Sequence, residues 1–111
     1  MLVEEGELPA ATILSSCGPG LLAAVIEELA GAAARASGLA PEQALQLATE
    51  TAAATTAYLR ETGETPGDLI GRVATAGGVT EVGVKGIRER LPEVFDEAVA
   101  AMLERYGAVG K

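Results

Sequence analysis

The stretch "PEQALQLATETAAATTAYLRE", residues 41–61, has a helical pattern with apolar residues on two faces at once. One stripe runs through Leu45, Ala48, Ala52, Thr55 and Leu59, and a second through Leu47, Thr51, Ala54 and Tyr58. A surface helix needs a single apolar stripe, so a helix with two is buried on two sides. The segment is either the centre of a helical bundle or half of an interface between two copies. The residues available to cover it are small. Of 111 residues 49% are hydrophobic but only 3% aromatic, while 22 are alanine and 14 glycine. A core of Ala, Leu and Val gains its contacts by close approach of helices rather than by bulk. A domain of this length buries only about two-thirds of its unfolded surface. Small side chains tighten that balance further, and a homodimer is expected.

The remaining segments read as helices around this one. "LLAAVIEELAGAAARA" sets Leu22, Val25, Ile26, Leu29 and Ala33 at helical spacing. Pro19 sits just before it, where a missing N–H costs nothing. "SGLAP" breaks the pattern and Pro41 opens the second helix. In "TGETPGDLIGRV", Thr65, Pro66 and Asp68 form an N-cap, a first-turn proline and a reciprocal capping carboxylate. The short helix they start turns Leu69, Ile70 and Val73 inward. Val84, Ile87 and Leu91 mark a fourth helix. Pro92 opens a fifth, with Phe95, Ala98, Val99, Met102 and Tyr106 on one face and Glu93, Asp96 and Glu97 in its first turns. Only "ATIL", residues 11–14, shows any strand alternation. The expectation is an all-α, five-helix, single domain over residues 1–111.

Charge and side-chain inventory exclude several functions. The formal charge is −8, from 16 acidic and 8 basic residues. The basic residues are scattered and make no stripe that could displace counterions, so neither nucleic acid nor an anionic membrane is an expected partner. Cys17 is the one cysteine and histidine is absent. That leaves no internal disulfide, no cysteine or histidine metal site and no imidazole-activated nucleophile. No apolar run approaches the ~20 residues of a membrane span. The acidic start "MLVEEGELPA" is unlike a signal peptide. A soluble, cytoplasmic chain is expected.

One stretch stands apart, "RVATAGGVTEVGVKG", residues 72–86. Successive backbone N–H groups at a glycine turn entering a helix can hold an anion without any cationic side chain. Thr80 can cap the helix and offer its hydroxyl to the same anion. The alternative is that Gly77 and Gly78 only turn the chain. Gly83 and Gly86 fit close packing of a neighbouring helix. "SSCGPG", residues 15–20, reads as a turn feeding a helix. No dinucleotide fingerprint of three spaced glycines between strand and helix is present.

Taken in order and spacing, these features resemble the C-terminal domain of pyrroline-5-carboxylate reductase, from about Glu4 to Tyr106. "SSCGPG" stands where that family has Ser-Gly-Ser-Gly-Pro, and "GLAPEQAL" matches its Gly-Leu-Pro link with one extra residue. "GETPGDL" matches its capping turn, and "TAGGVT" its Ser-Pro-Gly-Gly-Thr-Thr loop. The resemblance implies an interlocked helical dimer, as in the C-terminal domains of 6-phosphogluconate-dehydrogenase-like reductases. It implies that Thr75, Gly77, Gly78, Val79 and Thr80 receive a small substrate carboxylate, with Thr80 in the catalytic position. It also implies that NADP or NAD binds to a Rossmann domain outside this chain, in cis or in trans, so the chain itself holds no cofactor and no metal. Ser16, Cys17, Gly20, Leu21, Ala76 and Glu81 depart from the family pattern. Glu81 brings a negative charge to the carboxylate site, opposing binding unless it points away along the helix. A stand-alone dimerisation module without reductase chemistry is the alternative expectation.

Overall fold

The computed structural model describes residues 4–109. Among these there is no strand, and nearly every residue is helical. A 3-10 turn at Glu5–Glu7 leads into α1 (Leu8–Thr12), a π-helical turn (Ile13–Cys17) and α2 (Gly18–Ser37). Then follow α3 (Pro41–Thr62), α4 (Pro66–Val73) and α5 (Val79–Val109). The all-α expectation holds. Five α-helices are present, but they are not the five read from the sequence.

The first difference lies at "SSCGPG", which is not a turn. Thr12 and Gly18 both have right-handed helical dihedrals, and the backbone winds continuously from Glu5 to Ser37. In a straight α-helix the Pro19 ring would collide with the carbonyl of Ser15, four residues earlier. The π turn Ile13–Cys17 widens the helix at that place, and such bulges let a helix run on where an α-turn cannot. The same continuity removes the strand considered for residues 11–14. It also corrects the membrane-span reading: Glu5–Ser37, at 33 residues and a mean hydropathy of 1.6 in its most apolar window, is long and apolar enough to cross a bilayer by length and composition. Only 11% of that window is buried. The helix also carries adjacent carboxylates at Glu27 and Glu28. Each is costly within hydrocarbon.

The second difference is Pro92, which lies inside α5 instead of opening a fifth helix. Its flanks, "RERL" and "EVFDE", consist largely of helix formers and hold no turn residue. The chain therefore loses one hydrogen bond rather than breaking.

Helix α3 begins and ends as read. Pro41 occupies its first turn, Glu42 and Arg60 suit the two ends of its dipole, and Gly63 closes it with φ +74° and an N–H bond to the Leu59 carbonyl. Thr49, Thr55, Thr56 and Thr62 each donate their hydroxyl to the carbonyl four residues back, at 2.7 to 3.0 Å. A threonine satisfied in this way can lie on an apolar stripe without an unpaired donor. The α4 cap is the expected one. The Thr65 N–H donates to Asp68 Oδ2 at 3.0 Å, and the Asp68 N–H to Thr65 Oγ1 at 3.1 Å.

The chain divides into two compact units, Met1–Gly18 with Gly71–Lys111, and Pro19–Ile70. In the first, α1 and the π turn pack on α5, and Ile13 is 3% exposed. In the second, Ala30 and Ala44 are the buried apolar residues. Among the described residues these three are the buried apolar core. Fourteen large apolar side chains stay exposed, including Leu14 at 75%, Leu22 at 61%, Leu47 at 55% and Val82 at 72%. On α3 the stripe from Ala48 to Leu59 is half-buried, whereas Leu47, Thr51 and Ala54 lie open. Val73, expected to face inward, is exposed, as are Ile87 and Tyr106. A Cβ added at Gly83 or Gly86 would meet nothing within 4 Å, so the helix packing expected there is not made within this chain.

Candidate functional site

The residues Thr75–Gly78 form a β-turn at the entrance to α5. The Gly78 N–H donates to the Thr75 carbonyl at 2.9 Å, and Gly77, third in the turn, has φ +75°. A positive φ at the third position is the signature of a type II turn, which selects glycine there. Gly78 has an ordinary φ and is needed for another reason. A Cβ on it would sit 2.8 Å from Thr75 Oγ1 and 3.0 Å from the Thr75 carbonyl oxygen. The two glycines therefore serve separate demands, one of dihedral and one of space.

Helix α5 starts at Val79, and the Val82 N–H reaches the Gly78 carbonyl at 3.4 Å. Gly78 thus occupies the cap position. Thr80, read from sequence as a cap, instead lies in the first helical turn. Thr75, Ala76, Gly77, Val79, Thr80 and Glu81 are exposed and Gly78 is half-buried. Val79 is 92% exposed.

Glu81 does not point away along the helix. Its carboxylate turns back, and the Gly77 N–H donates to Glu81 Oε1 at 3.0 Å. Both glycine N–H groups are therefore engaged within the loop, Gly78 by Thr75 and Gly77 by Glu81. The donors left at the start of α5 are the N–H groups of Val79, Thr80 and Glu81, which a helix cannot satisfy from within. The sequence reading took Thr75, Gly77, Gly78, Val79 and Thr80 together and left open where Glu81 points; the bond from the Gly77 N–H to Glu81 is what it did not foresee. The signal was the spacing, because a Glu in the first turn reaches back to the residues before the helix.

A shallow apolar pocket of about 410 Å³ lies elsewhere, lined by Ile13, Cys17, Ala101, Met102, Arg105 and Tyr106. It is more than twenty residues along α5 from the loop, or roughly 35 Å at the helical rise. Among the described residues no group of three or more Cys, Asp or Glu could hold a metal.

The chain matches the family model described as pyrroline-5-carboxylate reductase dimerisation over residues 5–109. It is 36% identical over 104 residues to pyrroline-5-carboxylate reductase 3 of Bacillus subtilis, covering 94% of this chain and 38% of that protein. Pyrroline-5-carboxylate reductase 2 of the same organism is 33% identical over 103 residues, with 93% and 36% covered. The pyrroline-5-carboxylate reductase of Methanosarcina acetivorans is 34% identical over 110 residues, with 98% and 40% covered. The chain thus spans about two-fifths of the length of these relatives. No solved structure gives a significant match. With a match running from the first 3-10 turn to the end of α5, the chain belongs to the pyrroline-5-carboxylate reductase dimerisation family.

Proposed function

We propose that this chain is the dimerising, substrate-carboxylate-binding half of a pyrroline-5-carboxylate reductase, working in the cytoplasm in proline biosynthesis. The whole reaction passes a hydride from NADPH or NADH to the cyclic imine 1-pyrroline-5-carboxylate. The observation that carries this reading is the uncovered apolar surface. A chain whose described residues bury only Ile13, Ala30 and Ala44 among their apolar side chains, and expose fourteen large ones, needs a partner to complete its core. In a dimerisation family that partner is a second copy, and the open stripe of α3 supports an interlocked arrangement over the single module 1–111.

In this reading Thr75, Gly77 and Gly78 shape the loop, the N–H groups of Val79 and Thr80 meet the substrate carboxylate, and the Thr80 hydroxyl stands beside it. The described residues do not fit a nicotinamide dinucleotide. Its pyrophosphate needs a glycine turn between a strand and a helix. Here the glycine turn follows a helix, and both glycine N–H groups are taken. The cofactor belongs on a Rossmann domain, in cis or in trans, and no step of hydride transfer is assigned to these residues.

Sedimentation of the 111-residue chain at low micromolar concentration tests the reading. A homodimer is expected, and a stable folded monomer refutes it. The alternative, a dimerisation module without reductase chemistry, draws on the engagement of Gly77 by Glu81. It is favoured if the dimer forms but loop amides ignore proline in an NMR titration.

A further inference from the structure

The half-buried residues of α5, among them Leu91, Phe95 and Met102, take up one side of the helix. A second line runs through Gly83, Ile87, Arg90, Val94, Glu97 and Ala101, in alternating steps of four and three, and every member is exposed. Ile87 is 52% exposed and Val94 55%. Steps of four and three make the seam of two helices packed side by side. A Cβ on Gly83 would meet nothing within 4 Å, which leaves room for a helix to lie against this line.

The charges on α5 say which helix. Residues 82–92 hold Lys85, Arg88 and Arg90 against Glu89 alone, whereas residues 93–104 hold Glu93, Asp96, Glu97 and Glu104 and no basic residue. A helix basic in one part and acidic in the next complements a copy of itself only when the copy runs the opposite way. On the seam Val94 lies four residues after Arg90 and three before Glu97. Two antiparallel copies that cross at Val94 therefore set each Arg90 against the partner's Glu97, twice by symmetry. Parallel copies would set Arg90 against the partner's Arg90. Glu93 flanks the crossing and meets its like there, with Arg90 one turn away in the same helix to offset it.

We propose that α5 pairs antiparallel with α5 of a second copy, in the register that crosses at Val94 and joins Arg90 to the partner's Glu97. The proposal rests on the homodimer proposed above and adds to it a seam, a direction and a register.

The test is sedimentation equilibrium of the full chain at low salt, comparing the native protein with Arg90→Glu, Glu97→Arg and the double variant. Each single change sets like charges at two symmetric contacts and should weaken the dimer roughly 10-fold, as for two exposed ion pairs reversed. The double variant should regain the native affinity, and in about 1 M salt the differences should shrink. If either single variant dimerises as the native chain does, Arg90 and the partner's Glu97 do not meet, and the proposal falls while the dimer stands. If both weaken the dimer and the double variant does not recover, the two residues act separately and the proposal falls again. A native chain that stays monomeric removes the dimer and takes the proposal with it.

Discussion

Adding one methyl group at Gly78 and one at Gly77 should destabilise the loop by separable routes. At Gly78 the new Cβ would lie 3.0 Å from the Thr75 carbonyl oxygen, which accepts the bond that closes the turn, and 2.8 Å from Thr75 Oγ1. The hydroxyl can rotate away, but the carbonyl cannot move without breaking the turn. Gly78→Ala is therefore an overpacking change, expected to cost about 1–3 kcal/mol. At Gly77 a Cβ would meet nothing within 4 Å, but φ is +75°, so Gly77→Ala costs about 1–2 kcal/mol through the dihedral alone. Thr75→Ala separates the two. Combined with Gly78→Ala it removes the hydroxyl clash and should recover part of the loss. Combined with Gly77→Ala it should recover nothing. The assay is thermal unfolding at one fixed protein concentration, because a dimer's midpoint depends on concentration. About 1 kcal/mol moves the midpoint by roughly 4–8 °C in a chain near this size. If Gly78→Ala unfolds like the native protein, the turn is not packed as described. If Thr75→Ala rescues both glycine variants equally, the separation of space from dihedral is wrong.

Three further outcomes are expected. Thr65→Ala removes the α4 cap and should cost about 1 kcal/mol in urea unfolding, with Asp68→Ala similar in size; no change in either would deny the capping box. Leu47→Glu and Ala54→Glu alter side chains that lie open in the single chain, so both should leave the chain's own packing intact yet drive the dimer to monomer or to unfolding in sedimentation. Two variants that remain dimeric would remove α3 from the interface. Mixing the 111-residue chain with NADPH and the imine should give no oxidation above the uncatalysed rate, since the cofactor must be held and aimed for hydride transfer; clear turnover by pure material would overturn the assignment of cofactor binding to another domain.

The sequence carried the helices wherever start and stop signals were local. Pro41, Gly63 and the set Thr65, Pro66 and Asp68 act through their nearest neighbours, and α3 and α4 begin and end where these residues say. The proline reading failed where the outcome depended on the helix around it. Pro19 and Pro92 resemble Pro41 in isolation, but each lies inside a helix: Pro19 between two glycines just after a π turn, and Pro92 between runs of helix formers. One is accommodated by a π turn and the other by the loss of a single bond. A π turn leaves no mark in a periodicity of 3.6, so nothing in "ILSSC" could announce it. The site was legible as a motif and not as geometry. The glycine pair and its turn were visible. Which glycine needed its dihedral, which needed its space, and where the Glu81 carboxylate pointed depended on coordinates of a few ångströms.

The same small residues that made the core hard to read explain why this chain has so little of one. Alanine offers a single methyl to bury, so an alanine-rich helix gains stability only where another backbone comes close. Among the described residues only Ala30 and Ala44 are buried alanines. The larger apolar side chains, Leu14, Leu22, Leu29, Leu47 and Val82, are left outside. Each would gain on the order of 1 kcal/mol or more when covered. The threonines of α3 fit the same arrangement: with hydroxyls bonded to their own helix, they can enter an apolar seam without desolvating a free donor. Gly83 and Gly86, with open space over them, would let a second helix approach α5 closely, a few residues from the carboxylate loop. Dimerisation would then bring new walls to a loop whose side chains now lie exposed. Helix contacts made of alanine and glycine have little tolerance for bulk, so enlarging Gly86 to Leu should weaken the dimer although the single chain has room for the side chain. A dimer that tightens instead would place the seam on another face of α5.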